Sequence, residues 1–137
     1  MALRGRGAAV ADSLTGMAEG EAAAGQIIAV AAILLACGLA FLVTRAAAAG
    51  RLKRNHLAGI RVRSVMASDE AWRRGHAAAV RSMTWTAGVS AVLSLASLFA
   101  LGTPWFAVPL LAGVLVLLTG AGWGGVKAHR AAARPPR

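Results

Sequence analysis

Carboxylates are scarce in this sequence. Five Asp and Glu stand against fifteen Lys and Arg, and none falls within its three longest apolar runs. A proton or cation relay through those runs has no carboxylate to work with. The single cysteine, Cys37, lies inside the first run, which excludes an internal disulfide and a cysteine-based metal cluster. Inert packing is its expected role. His56 and His76 sit far apart, and Glu70 lies off the face of His76. The His-Glu-x-x-His helix of a zinc protease is therefore absent. No Ser-His-Asp set and no phosphate-cradling glycine loop occurs either. No catalysis, metal or cofactor is expected.

What is present is grease and arginine. Hydrophobic residues make up 58% of the 137 positions and charged residues 15%, with a net charge of +10. Such a charge suits nucleic acid or an anionic membrane surface, and its distribution decides between them. The basic residues are confined to the ends and to one interior stretch. Between them lie Gly25–Thr44, Ser82–Leu101 and Trp105–Val126, all uncharged. Twenty helical residues rise about 30 Å, the thickness of a bilayer's hydrocarbon core. The expected fold is all-α: a polytopic membrane protein with three transmembrane helices.

Trp105 and Trp123 bracket the third run and are expected to anchor it at the two interfaces, about 27 Å apart along a helix. Pro109 falls near the start of that helix, where a missing amide hydrogen costs little. The link "GTP" makes the second and third helices an antiparallel hairpin. Segment 45–81 holds Arg45, Arg51, Lys53, Arg54, Arg61, Arg63, Arg73, Arg74 and Arg81 against Asp69 and Glu70, whereas the turn before Trp105 holds no base. A tail at 127–137 adds Lys127, Arg130, Arg134 and Arg137. Basic flanks stay inside, so the first loop and the C-terminus are expected to be cytoplasmic. The N-terminus and the hairpin turn are then outside. In the N-terminal segment 1–24, Arg4 and Arg6 are outweighed by Asp12, Glu19 and Glu21. It is expected to be a disordered leader, with Met17 as an alternative start to Met1. A cleaved signal peptide fits poorly, because the apolar run is long and its N-terminal flank is not basic.

The loop is the one stretch rich in sequence variety. Ser68 is a good N-cap, and Asp69 and Glu70 suit the positive end of the helix that follows. Asp69–Arg73 and Glu70–Arg74 are pairs at the favourable i,i+4 spacing. A short interfacial helix is expected over Asp69–Arg81, bending at Gly75 and leading into the second span. Trp72, His76 and Val80 share one of its faces, with Trp72 set at the bilayer interface. Topology needs only charge, so the combination Asn55, Gly59, Ile60 and Arg61 points to a specified turn, for which Gly59 supplies the backbone freedom.

"N-x-x-x-G-I-R" (Asn55, Gly59, Ile60, Arg61), "S-D-E-A-W" (Ser68, Asp69, Glu70, Ala71, Trp72) and then His76 resemble the signature loop of the SdpI family. Family members often carry Thr after the Arg, Thr again three residues on, and Arg after the His; Val62, Val65 and Ala77 stand at those places. The resemblance implies a bacterial inner-membrane protein conferring immunity to a secreted killing peptide, or signalling by recruiting a soluble regulator to its basic loop. Implied partners are the lipid bilayer, a peptide toxin and a cytoplasmic repressor-type protein. It also implies that Asn55, Gly59, Ile60, Arg61, Ser68, Glu70, Trp72 and His76 structure the loop or bind the partner. The alternative is an accessory subunit acting through helix packing alone. Small residues at four-residue spacing occur in each span (Ala32, Ala36 and Ala40; Ser90 and Ser94; Gly120 and Gly124), which also leaves a homo-oligomer open. Direct nucleic-acid binding is not expected, since the loop has no helix-turn-helix pattern.

Overall fold

The computed structural model describes residues 2–134, with side chains from Asp12 onward; Met1 and the basic tail's Arg137 lie outside the described residues. Three helices carry the chain: α1 (Ala2–Ala48), α2 (Asp69–Ala96) and α3 (Ala107–Ala132). Each contains a stretch long and apolar enough to cross a membrane. Short 3-10 turns at Ser97–Ala100 and Pro104–Phe106 flank the tight link. Gly102 takes φ +77° at its tip, and its amide donates to Gln26 Oε1 of α1 at 2.8 Å. The all-α fold and the three spans are as expected.

The central element is α2. Both α1 and α3 pack on it and hardly touch each other. Its buried residues include Trp72, His76, Ala79, Met83, Ala87, Ser90 and Ser94. They recur every three or four positions and so form one helical stripe. Opposite them, α3 buries Gly113, Gly120, Gly124, Ala128 and Ala132. Lipid tails are as apolar as leucine, so close packing must hold such helices together. Glycine allows it here. A Cβ at Gly113 would lie 3.0 Å from the Ser90 carbonyl oxygen, and one at Gly120 would collide with Thr86. Ser90, Ser94, Gly120 and Gly124 thus serve the contact that their spacing suggested. In α1 the contact residues are Val30, Cys37, Thr44 and Ala47, while Ala32 and Ala36 face outward.

Buried hydroxyls along the stripe satisfy themselves locally. Ser94 Oγ donates to the Ser90 carbonyl at 2.8 Å, and Thr44 Oγ1 to that of Ala40 at 2.7 Å. Cys37 Sγ is 3.4 Å from Ser90 Oγ, which ties α1 to α2. Meanwhile Ile28, Leu35, Leu42, Val92, Leu111 and Leu118 are all more than half exposed. An apolar outer surface of this extent is what a bilayer covers.

Two boundaries differ from expectation. The leader is helical, not irregular: α1 begins at Ala2. Its alanine-rich, proline-free sequence favours helix, and the 47-residue helix is about 70 Å long, more than twice a hydrocarbon core. The separate interfacial helix is absent too, because Asp69–Arg81 forms the first turns of α2 without a break. Nothing in this alanine-rich stretch breaks the helix. Gly75 marks a close approach instead: a Cβ there would lie 2.8 Å from Val65 Cγ2. The charged residues of Asp69–Arg81 would be costly in hydrocarbon, and the uncharged stretch of α2 begins beyond them at Ser82.

Candidate functional site

Between α1 and α2 the loop folds beneath the helix bundle as a compact cap. Ser68 starts α2 as expected. Its extended backbone (φ −153°, ψ 166°) precedes the helix, and its Oγ accepts from the Ala71 amide at 3.0 Å. The Glu70–Arg74 pair forms at 3.6 Å. Asp69 chooses differently. Its carboxylate meets Arg54 Nε at 3.3 Å rather than Arg73, because Arg54 is already held nearby by its 2.7 Å bond to the Met66 carbonyl. Both ion pairs are largely solvated and stabilise little.

The first turn of α2 carries Trp72 inward. The ring is 1% exposed, and its Nε1 donates to the Leu52 carbonyl at 2.9 Å. Trp72 is therefore buried within the cap and is not a lipid-facing anchor, contrary to expectation. The loop wraps over its face and supplies the acceptor that the indole N–H needs. His76, one turn on, is fully buried, with its ring centroid 4.2 Å from that of Trp72. Val80, expected on the same face, is only half-buried.

His76 joins helix to loop. Its Nδ1 lies 2.8 Å from the Trp72 carbonyl, and its Nε2 accepts from the Ile60 amide at 2.9 Å. A carbonyl can only accept and an amide N–H can only donate, so the ring must be neutral with its proton on Nδ1. Burial holds its pKa below the ordinary imidazole value, against a smaller opposing effect of the bond to the Trp72 carbonyl. The unfolded chain therefore takes up a proton first as pH falls. Stability from this site is complete above about pH 6.5 and declines below it, toward the lower folded-state pKa. Protonation would also set an Nε2–H against the Ile60 N–H. We expect the thermal midpoint of the detergent-solubilised protein to fall between about pH 7.5 and pH 5, and a His76→Gln variant to show a smaller fall. Equal slopes in the two proteins would remove His76 as the cause.

Gly59 makes the joint possible. It has φ +104°, and a Cβ there would lie 2.7 Å from His76 Nε2 and 2.8 Å from Trp72 Cη2. Just before it, Asn55 Oδ1 accepts from the amides of Leu57 and Ala58, both at 2.9 Å, while Nδ2 donates to the Lys53 carbonyl at 2.9 Å. Such a side-chain-stapled turn is a common use of asparagine. Arg61 Nη1 donates to the His56 carbonyl at 2.6 Å, which closes the same turn.

The signature residues thus separate into two sets. Trp72 and His76 are buried in the cap, with Asn55 and Ile60 half-buried around them. Gly59, Arg61, Ser68 and Glu70 are exposed, and of these Gly59, Arg61 and Ser68 still shape the turn or the helix start. Trp105 and Trp123 stay apart from this site, 72% and 57% exposed on the outer surface of the molecule.

Several contributors were not singled out by sequence reasoning. Val65 is fully buried, and with Trp72, Ala47, Ala79 and Ala128 it forms a core against which Leu52, Ile60, Val62 and Met66 pack. The signal was there: apolar side chains recur through a basic segment that topology alone would leave polar. At Val65 and Val62, valine in place of threonine suits this dry packing. Ser64 Oγ lies 2.8 Å from His129 Nδ1, which fastens the cap to the end of α3. Leu57 is 90% exposed at the tip of the Asn55 turn.

Comparison with known proteins bears on the same segment. The profile of the SdpI/YfhL protein family matches residues 51–121, a little over half of the chain, from the cap to well within α3. No curated protein and no solved structure gives a match.

Proposed function

The chain belongs to the SdpI/YfhL protein family, and on that premise we propose that it acts by binding at the bacterial inner membrane, without catalysis. It is a multi-pass membrane protein of the SdpI type. In the proposed arrangement the N-terminus is outside and the cap and C-terminus are cytoplasmic, as the basic flanks require. The membrane domain protects the cell against a secreted killing peptide, and the cap recruits a soluble repressor-type regulator.

One observation carries the recruitment reading. The cap holds its shape through hydrogen bonds within itself and to α2 while it leaves Arg51, Lys53, Arg61, Arg63 and Leu57 exposed. A rigid basic surface with an apolar tip suits an acidic protein partner, because little ordering entropy is lost on binding.

Two measurements test the proposal. Deleting the gene should raise sensitivity to killing peptides from related strains; unchanged sensitivity counts against immunity. In pull-downs with the full-length protein in detergent, Arg61→Ala and Leu57→Ser should each weaken capture of the regulator several-fold while the thermal midpoint stays near wild type. Recovery of the same proteins at the same yield from both variants would reject recruitment through this surface.

A further inference from the structure

Between the end of α1 and the first turn of α2, the cap holds a recess of about 250 Å³. Leu52 and Trp72 form part of its wall, fixed to each other by the 2.9 Å bond from Trp72 Nε1 to the Leu52 carbonyl. Around them stand the cations of Lys53, Arg54 and Arg73 against a single carboxylate, that of Asp69. We propose that this recess binds a phosphate group, with Arg73 and Lys53 as its donors.

The allocation of charge carries the inference. From Arg45 onward the sequence holds only two acidic side chains, Asp69 and Glu70. Both are spent, Asp69 on Arg54 at 3.3 Å and Glu70 on Arg74 at 3.6 Å. Arg54 is held further by its bond to the Met66 carbonyl. Among the described residues, the exposed side chains of Arg73 and Lys53 keep neither an ion pair nor a hydrogen bond. Two cations sharing one recess repel each other, and an anion from outside relieves that repulsion. Placement comes from Gly50. It has φ +72°, and a Cβ there would lie 3.2 Å from Arg73 Cδ, so the bare Cα lets the arginine stem lie across the turn. Phosphate suits the two free donors better than a carboxylate does. A guanidinium takes two oxygens at once, and phosphate still offers a third to the ammonium of Lys53. The depth suits two sources, a lipid headgroup and a soluble phosphate ester. Ala48, the last residue of α1, is about 6 Å along the helix from Thr44, where the uncharged run ends. Lys53 also borders the recruitment surface, but Arg73 does not, so the proposal stands whether or not a regulator binds there.

Two measurements on the full chain test it and tell the sources apart. In neutral detergent, inorganic phosphate replaces chloride at constant ionic strength while the thermal midpoint is followed. Phosphate strengthens burial in any protein, so each response is read against Arg130→Gln, which removes an exposed arginine outside the recess. Wild type and Arg130→Gln should show a saturable rise in midpoint. Arg73→Gln and, separately, Lys53→Gln should need about tenfold more phosphate for the same rise, the worth of one charge-assisted hydrogen bond. Both should match the wild-type midpoint in chloride, since neither side chain holds another in place. Arg73→Lys, which keeps the charge and loses the fork, should recover only part of the response. The second measurement is native mass spectrometry after release from nanodiscs of equal phosphatidylglycerol and phosphatidylcholine. A phosphatidylglycerol kept by wild type and Arg130→Gln but lost by Arg73→Gln makes a headgroup the source. A response to inorganic phosphate alone makes it a soluble ester. Independence from Arg73 in both measurements would overturn the proposal. So would an equal loss in Arg130→Gln, the mark of diffuse charge, or an equal rise with acetate, the mark of a carboxylate site.

Discussion

Replacing Trp72 with alanine lowers the stability of the folded cap by about 3–5 kcal/mol, the usual cost of removing a large buried aromatic side chain. Two losses combine. The Leu52 carbonyl forfeits its donor, and His76 loses the ring that packs against it at 4.2 Å. Thermal unfolding in detergent micelles reads the effect, with limited proteolysis of segment 49–68 locating it. Trp72→Phe separates the two losses, because it restores most of the packing but not the N–H. It should recover all but about 1–3 kcal/mol, the cost of leaving a buried acceptor unpaired. An alanine variant as stable and as protease-resistant as the wild type would mean that Trp72 points to lipid after all.

Gly59→Ala is the second large effect, expected at about 2–4 kcal/mol, from a left-handed backbone together with overpacking. The added methyl would lie 2.7 Å from the imidazole nitrogen that receives the Ile60 amide. It therefore attacks the hydrogen bond and the backbone conformation together. Relief comes only by pulling the turn away from α2. The accompanying sign is faster hydrogen exchange at the Ile60 amide than in the wild type at the same pH. Gly122→Ala, at an open position on α3, serves as the control. Similar stability of the two alanine variants would show that the Gly59 turn can relax at little cost.

Local chemistry was legible in the sequence, and distant pairing was not. Spans appear as uncharged runs, and the Ser68 cap and the Glu70–Arg74 pair appear as spacings within one helix turn. Asn55 and Gly59 stood out because topology does not require them. Trp72 was misplaced for a physical reason: a tryptophan at a membrane surface and a tryptophan under a loop look identical until the Leu52 carbonyl is seen beneath it. Asp69 was misassigned because i,i+4 geometry offers Arg73, while only tertiary structure brings Arg54 within reach. Gly75 read as a bend because glycine weakens a helix, yet its bare Cα makes room for Val65. The small-residue spacing located the α2–α3 contact but not the α1 contact, since alanine is too common in α1 to mark one face. The family resemblance depended on the loop, and the matched residues 51–121 include all of the signature positions.

The order of synthesis gives the α2-centred packing a further meaning. The first helix leaves the ribosome before either of the others, yet it has no protein surface to rest on until α2 follows. It must hold its place in lipid unaided, which its uncharged run from Gly25 to Thr44 permits. The socket around Val65 waits longer still, because its far wall includes Ala128 of α3, which follows both other helices in the chain. The cap therefore closes only after α3 has been made, and a nascent chain halted before Ala128 carries its signature loop without the wall it packs against.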